Sequence, residues 1–372
     1  MREFLAAVNI PSGYRVHQFR VLSACLLDEG IRFRAMFMAK GRKDRLWRYR
    51  RHEFGFEHAF TRGVSIRMGD RQPLHVSPGA WVETVRSAPE WLLLGGSWYQ
   101  PAVMISTVYS GAAHNLFWNE SWQERVTRFS ALRRLVLARC DGFVVPGERA
   151  ESWTLTQATG PILRLPNFVD ESLFGDRVDE ERRRADIRGE LGFGEEIIFA
   201  WPARLNQDKG IVPFLKAVRD IDGDYSIAIA GEGPQRDEIE RVAAMMPRVR
   251  LLGHLWPEDL LRLYAVADAL LLPSLFEPFG FVAVEALWAR LPLLLSDRVG
   301  AAPEVMIEGE NGWIVPANDP AAASSAFEEM VGLGRAGLSE MGERSRTVAE
   351  ERFASEASAR GFVARLLEVF PS

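Results

Sequence analysis

The sequence predicts an α/β protein made of two doubly wound domains, and three observations support this fold class. The chain has 372 residues, which suits two domains at about 100–200 residues each. Short apolar runs alternate with helical patterns, as in strand–helix units built on a mostly parallel sheet. A polar, highly charged segment at 166–194 interrupts this alternation, which then starts again.

The first domain is predicted to begin with a buried strand at 4–10, a tight loop at 11–13 and a helix that stops at Gly30. Further apolar runs of the strand–helix alternation lie at 33–38, 91–94, 102–109 and 142–145. A long arginine-rich helix is expected at roughly 123–139.

The second domain repeats the pattern, and two amphipathic helices close the chain. Its apolar runs lie at 197–200, 226–230, 249–252, 269–272, 291–295 and 312–316. The predicted domains are 1–165 and 195–352, joined by a linker at 166–194, with a final helix at about 353–372 packing back on the first domain. We expect the domains to face one another across a cleft lined by carboxyl strand ends, where open α/β sheets bind ligands.

Composition excludes several classes of protein. The chain is 47% hydrophobic and 26% charged, which is ordinary for a globular protein. No window approaches about 18 consecutive apolar residues, and the N-terminus turns polar at Asn9, so neither a membrane span nor a signal peptide is expected. Two cysteines, Cys25 and Cys140, are too few for a disulfide framework or a cysteine-based zinc site. The expected location is the cytoplasm.

Charge is distributed unevenly along the chain. Residues 1–165 hold 23 Arg and Lys against 14 Asp and Glu, whereas 166–372 hold 22 against 36, which gives the net charge of −5. The basic part predicts an acidic partner: phosphates, an anionic membrane face or the acidic part itself. No nucleic-acid partner is expected, because the whole chain is acidic and carries no RNA- or DNA-binding signature.

Common nucleotide and hydrolase motifs are missing. Gly231 and Gly233 supply two glycines of a dinucleotide fingerprint, but Arg236 stands where the third should be. The sequence has no Walker loop, HExxH or G-x-S-x-G motif. Dehydrogenase, NTPase, metalloprotease and hydrolase interpretations are therefore disfavoured.

Two cations follow the first strand of the second domain. Arg204 and Lys209 flank a loop that leads into a helix from about Gly210, in the segment PARLNQDKG. Cations beside a helix N-terminus suit a diphosphate. The alternative is a pair of surface salt-bridge residues, although the chain has only four lysines.

Two carboxylates accompany a second helix start, in the segment EPFGFVAVE. Glu277 ends the loop after an apolar run, Gly280 stands where the helix begins, and Glu285 lies on that helix. Two such acids can hold hydroxyls at both ends of one ligand, and Gly280 lets backbone approach a ligand closely. Alternatively, Glu277 is a helix-capping acid and Glu285 is solvated, but apolar neighbours favour a partly buried Glu285 that needs a partner.

In this order and spacing, Arg204, Lys209, Gly231, Glu277 and Glu285 resemble the motifs of the family 4 glycosyltransferases, which have the GT-B fold. The resemblance is strong over 196–320 and looser over 1–165. It departs from the family pattern at Ala203 and Ala301, where glycines are common, and in the N-terminal loop, which keeps only one glycine.

This resemblance implies a retaining enzyme that moves a sugar from a UDP- or GDP-linked donor to an acceptor hydroxyl, without a metal or other cofactor. The resemblance and the basic run at 40–52 together predict the acceptor as a glycan or lipid-linked saccharide in cell-surface polysaccharide synthesis. Arg204 and Lys209 would bind the diphosphate, and Glu277 the donor sugar's hydroxyls. The further donor-binding positions that the resemblance implies are Gly13, Gly231, His254, Leu255, Phe279, Gly280, Phe281 and Glu285.

Three residues of the first domain are weaker candidates. His114 is taken to lie in a loop just after a strand, at the carboxyl edge of the sheet, and so near the reacting sugar. A lone histidine is more often structural. Trp98 and Glu120 could line the acceptor side by the same positional argument.

The run at 40–52 combines seven Lys and Arg with Trp47 and Tyr49. It is either a solvated loop or a docking patch for anionic lipid, on the inner face of the membrane. Two other functions stay open for the whole chain: a GT-B-fold epimerase acting on the nucleotide sugar, and a nucleotide-sugar-binding protein without turnover.

Overall fold

A computed structural model describes residues 2–40, 54–66, 74–123 and 129–371. The chain divides into two compact units, Met1–Phe168 with Ser355–Ser372, and Val169–Ala354. Apart from Lys40, the basic run at 40–52 lies outside the described residues. Within the described ranges, no helix is long and apolar enough to cross a membrane.

In the described part of the first unit, seven parallel strands form one sheet in the order β3-β2-β1-β6-β7-β8-β9. These strands are β1 (Arg2–Val8), β2 (Ile31–Phe37), β3 (Glu57–Phe60), β6 (Trp91–Gly95), β7 (His114–Trp118), β8 (Gly142–Val145) and β9 (Ile162–Arg164). An antiparallel pair is separate: β4 (Val64–Ile66) and β5 (Leu74–Val76). The strand order reverses between β1 and β6, which is where such sheets bind ligands.

Helices cover this sheet. They are α1 (Gly13–Asp28), α2 (Pro78–Ser87), α3 (Pro101–Tyr109), α4 (Ser130–Leu137), α5 (Glu148–Leu155) and the C-terminal α14 (Ser355–Val369). Ser12 caps α1 by accepting a hydrogen bond from the backbone N–H of Arg15 (3.2 Å). Helix α14 packs beside α1, and its Phe362 contacts Phe4 of the central strand at a ring-centroid distance of 6.3 Å.

One apolar run of the first unit is a helix and not a strand. Residues 102–109 belong to α3, because Pro101 favours a helix start and burial recurs at helical spacing. Val103, Ser106 and Thr107 are buried, whereas Ile105 and Val108 are exposed. The strand that follows is β7, which the sequence pattern did not reveal. Of the arginine-rich helix expected at 123–139, 124–128 lie outside the described residues, and α4 is shorter.

The described residues of the second unit form a six-stranded parallel sheet in the order β12-β11-β10-β13-β14-β15. The strands are β10 (Ile197–Pro202), β11 (Tyr225–Ala230), β12 (Val249–Gly253), β13 (Ala269–Leu272), β14 (Leu293–Ser296) and β15 (Gly312–Val315). The α-helices are α6 (Val178–Arg182), α7 (Ile187–Glu190), α8 (Ile211–Ala217), α9 (Arg236–Ala243), α10 (Pro257–Val266), α11 (Phe281–Trp288), α12 (Ala302–Val305) and α13 (Pro320–Arg352), which is kinked at Gly334. A π-helix (Ser172–Arg177) and a 3-10 helix (Gln207–Lys209) are also present.

The second sheet also has a reversal point, between β10 and β13. The chain runs outward from β10 through β11 to β12, and then returns to place β13 on the other side of β10. Beneath this point, buried aromatic rings fix the central strand: Phe199 contacts Phe327 at 4.6 Å between centroids, and Phe327 contacts Tyr225 at 5.1 Å. The two loops that leave β10 and β13 are therefore held at one edge of a rigid sheet.

Both cysteines are buried and free. Burial raises the pKa of the Cys140 thiol to about 12, so this side chain stays protonated at neutral pH.

Candidate functional site

The loops after β10 and β13 bring Lys209 and Glu277 together, one of the two predicted cations and one of the two predicted carboxylates. The ammonium group of Lys209 forms an ion pair with Oε2 of Glu277. Their side chains are 17% and 13% exposed, so the pair is largely shielded from water but open on one side. The backbone N–H of Phe276 donates to the carbonyl of Asp208 (3.1 Å), which ties the two loops to each other.

A third segment fixes the Glu277 loop from its other side. The backbone N–H of Glu277 donates to the carbonyl of Arg298 (3.0 Å), and the N–H of Gly300 donates to the carbonyl of Glu277 (2.9 Å). The N–H of Ala301 donates to the carbonyl of Phe279 (2.8 Å). These bonds hold the backbone that carries the Glu277 carboxylate in a fixed position. A fixed position is what a group needs in order to orient a bound ligand.

Gly280 directly precedes α11 and has a φ of +106°. An added Cβ would lie 3.1 Å from Cγ1 of Val299, in a backbone conformation that favours glycine. Phe279 is buried and Phe281 is half-buried, and their rings contact each other at 5.4 Å between centroids. The first backbone N–H groups of α11 therefore lie close to Glu277 along the chain. Such N–H groups have no partner within the helix and can donate to polar atoms of a ligand.

Glu285 lies one turn into α11 and has no exposed surface. The hydroxyl of Tyr264, on α10, donates to its Oε2 at 2.5 Å. The structure thus places Glu285 in the interior with a polar partner, as its apolar neighbours indicate. The ribose contact that the resemblance implies stays a prediction.

Arg204 is exposed on a loop that packs tightly against the glycines after β11. The N–H of Leu205 donates to the carbonyl of Glu232 (3.0 Å). A Cβ on Gly231 would lie 1.8 Å from the carbonyl oxygen of Ala203, and one on Gly233 would lie 2.2 Å from that of Leu205. Because these glycines have no side chain, the loop that carries Arg204 packs directly on the loop after β11. The sequence alone did not suggest this role.

His254 and Leu255 follow β12, the edge strand on the far side of β11. His254 is exposed, and its ring packs edge-on against Trp256 at 5.0 Å between centroids. Both lie at the same carboxyl edge of the sheet as Lys209, two strands away from its loop.

The first unit has its own cluster at the carboxyl edge. Gly13 begins α1 after β1, while Trp98 and Glu120 follow β6 and β7. Arg15, which sequence reasoning missed, pairs with Oε1 of Glu120 (2.8 Å), and its guanidinium lies 3.7 Å from the ring centroid of Trp118. The only sequence signal for Arg15 was its place in the first turn of a helix that follows a strand.

A cavity of about 120 Å³ lies beside this cluster. It is lined in part by Trp98, Asn119, Glu120, Arg133 and Trp153. Aromatic faces combined with amide, carboxylate and guanidinium groups suit a polyhydroxylated ligand.

The expected position of His114 is wrong. His114 is the first residue of β7, so it lies at the amino end of the strand and not at the carboxyl edge. Its backbone N–H donates to the carbonyl of Glu90 (2.9 Å), and its ring contacts Phe370 at 4.7 Å between centroids. The error follows from the run at 102–109: if that run were a strand, His114 would lie in the loop after it. A role for His114 near a reacting group has no positional support.

The chain is similar to known glycosyltransferases. The family "Glycosyl transferases group 1" matches residues 183–347. The chain is 28% identical over 308 residues to glycogen synthase of Mycobacterium tuberculosis (strain ATCC 25618 / H37Rv), covering 75% of this chain and 69% of that protein. It is 34% identical over 147 residues to D-inositol 3-phosphate glycosyltransferase of Corynebacterium diphtheriae, covering 36% of this chain and 34% of that protein.

Solved structures share the fold over the whole chain. Anabaena Alr3699/HepE, in a complex with UDP-glucose, is similar with a TM-score of 0.75 at 15% identity, covering 99% of this chain and 100% of that one. Sucrose-phosphate synthase from Thermosynechococcus elongatus is similar with a TM-score of 0.73 at 19% identity, covering 99% of both chains. The expected GT-B fold is thereby confirmed.

Proposed function

We propose that this chain, a glycosyltransferase of the GT-B fold, carries out a retaining reaction that depends on a nucleotide-diphosphate sugar. Its residues 183–347 match the glycosyl transferases group 1 family. In this reaction a sugar moves from a UDP- or GDP-linked donor to an acceptor hydroxyl. The observation that carries the proposal is the Lys209–Glu277 ion pair at the reversal point of the second sheet.

The site supplies charges where such a reaction needs them. When a nucleoside diphosphate leaves, negative charge develops on the oxygen that linked it to the sugar. Lys209 and Arg204 offset this charge, and a fixed donor of this kind is worth about 2.7–4 kcal/mol of transition-state stabilisation. Glu277 accepts hydrogen bonds from the sugar's hydroxyls while it positions Lys209. The departing phosphate takes the proton of the acceptor hydroxyl, so no carboxylate is assigned as a general base. No double-displacement nucleophile is assigned either.

For the acceptor we propose a glycan or a lipid-linked saccharide of the kind used in cell-surface polysaccharide synthesis. The support is the polar and aromatic cavity at the carboxyl edge of the first sheet, where Trp98 and Glu120 lie. A sugar ring can stack on the indole and donate hydroxyl hydrogens to the carboxylate. Membrane contact through residues 40–52 stays a prediction from the sequence.

Donor binding is expected to need no metal, because cationic side chains are available to neutralise the diphosphate. We expect a UDP- or GDP-linked sugar to raise the Tm in a thermal-shift assay with excess EDTA, by the same amount as with magnesium. The matched control is the Lys209→Ala protein, which should show a clearly smaller shift. A Tm shift that appears only with magnesium or manganese would contradict the proposed mode of binding.

A further inference from the structure

The second unit contains a larger cavity that lies away from the donor site. Its volume is about 600 Å³, which is within the range of small-molecule sites. It is lined by the segment before β13 (Ala265, Val266, Ala267 and Asp268), by residues of 179–188 and 335–343, and by Arg290. Because Asp268 directly precedes β13 and Lys209 follows β10, the cavity and the donor site lie at opposite edges of the same parallel sheet.

The cavity wall carries a positive excess. Among the described residues that line it, five are arginines and three are carboxylates. The arginines are Arg182, Arg183, Arg188, Arg290 and Arg335, and the carboxylates are Asp179, Asp268 and Glu343. Every carboxylate is already paired with an arginine of this set. Arg335 also pairs with Glu195, which lies outside the wall (2.9 Å), so a smaller positive excess is available to an anion.

Arg183 is the arginine with spare hydrogen-bonding capacity. Within the part of the chain that the structure describes, its guanidinium makes neither an ion pair nor a side-chain hydrogen bond, and the residue is exposed. The neighbouring Arg184 differs, because it pairs with Glu181 (2.8 Å) and Glu190 (2.7 Å).

Arg182 is fixed in the cavity wall from behind. Its Nη2 donates to the carbonyls of Ala289 (2.7 Å) and Tyr264 (3.4 Å), and its Nε donates to that of Ala265 (3.3 Å). Its Nη1 donates to Oδ1 of Asp179 (3.3 Å), which leaves one N–H of Nη1 for a ligand. Burial lowers the pKa of this guanidinium, so an anion placed beside it would offset part of the cost of burying the charge. A pre-positioned arginine next to a free one is an arrangement that recognises phosphate groups.

We propose that this cavity binds a small phosphorylated polyol of sugar-phosphate size, separately from the nucleotide-sugar donor. Arg182 and Arg183 hold the phosphate. Ser339, Glu343 and Asp179 have the oxygen atoms that a sugar's hydroxyls need as hydrogen-bond acceptors. Helix α11 spans the distance between the two sites, since Gly280 precedes it at the donor edge and Arg290 follows it at the cavity.

The test is calorimetric titration of the full chain with three probes: glucose 6-phosphate, inorganic phosphate and glucose. Three single variants are compared, Arg183→Ala, Arg184→Ala and Lys209→Ala. We expect the wild-type protein to bind glucose 6-phosphate more tightly than it binds inorganic phosphate or glucose. Binding should weaken about tenfold or more in Arg183→Ala, because a charge-assisted contact is lost. It should be unchanged in Arg184→Ala and Lys209→Ala.

Two patterns would overturn the proposal. Absence of binding to wild type is one. The other is loss of binding in Lys209→Ala with retention in Arg183→Ala, which would place the phosphate in the donor site. If inorganic phosphate binds as tightly as glucose 6-phosphate, the polyol part of the proposal is wrong. Arg183→Ala should unfold at the wild-type temperature, because the side chain it removes is exposed and has no partner among the described residues.

Discussion

Replacing Lys209 with alanine is expected to lower kcat by two or more orders of magnitude while the protein stays folded. The ammonium group is one of two cations at the reversal point of the second sheet, and it is held there by Glu277. Its removal takes away one of the two counter-charges to the developing charge of the leaving diphosphate. A 100-fold loss corresponds to about 2.7 kcal/mol, the lower end of what such groups contribute. The measurement is release of nucleoside diphosphate at saturating donor.

The matched control for this variant is Lys216→Ala. Lys216 is exposed on α8, the helix that follows the same loop, and it lies outside the proposed site. Its loss should change kcat by less than twofold. Wild-type turnover in a folded Lys209→Ala protein would remove Lys209 from the proposed mechanism.

Replacing Gly231 with alanine is expected to destabilise the second unit by about 3 kcal/mol. The φ of this residue is +148°, and the new Cβ would lie 1.8 Å from the carbonyl oxygen of Ala203. Backbone strain of this kind and overpacking each cost about 1–3 kcal/mol. Relief of the clash would also displace the loop that carries Arg204, so donor binding should weaken together with stability. Urea unfolding and donor titration measure the two effects.

Gly332→Ala is the control for Gly231→Ala. Gly332 lies in α13 of the same unit, and a Cβ there meets no other atom within 4 Å. This change should leave the free energy of unfolding unchanged or raise it slightly, because alanine loses less conformational entropy than glycine in a helix. Equal stability of the two variants would show that the Gly231 loop is not tightly packed.

The second sheet is the part that sequence reasoning predicted best. Strands β10, β11, β13 and β14 are short, fully buried and mostly apolar runs, so the pattern of hydrophobicity alone marks them. The pairing of Lys209 with Glu277 could not be read from spacing, since 68 positions separate them and only the return of the chain from β12 to β13 brings them together. The resemblance to a family supplied their roles.

Sequence reasoning was least reliable in the first unit. The run at 102–109 is apolar enough for a strand, yet it forms a helix with an exposed apolar face. Composition could not separate the two, because a short apolar run fits either structure. The strand at His114–Trp118 starts with two half-buried polar residues, so the apolar pattern did not reveal it. His114 was therefore predicted to lie in a loop and not at the start of a strand.

The most direct test of the proposed reaction is the identity of the nucleotide products. Wild-type protein is incubated with a panel of UDP- and GDP-linked sugars, with and without saccharide acceptors, and the products are identified by mass spectrometry. We predict free nucleoside diphosphate from at least one donor, formed faster with an acceptor that gains one sugar, and greatly reduced in Lys209→Ala. An isomerised nucleotide sugar formed from donor alone, without nucleoside diphosphate, would show an epimerase and contradict the proposed transfer.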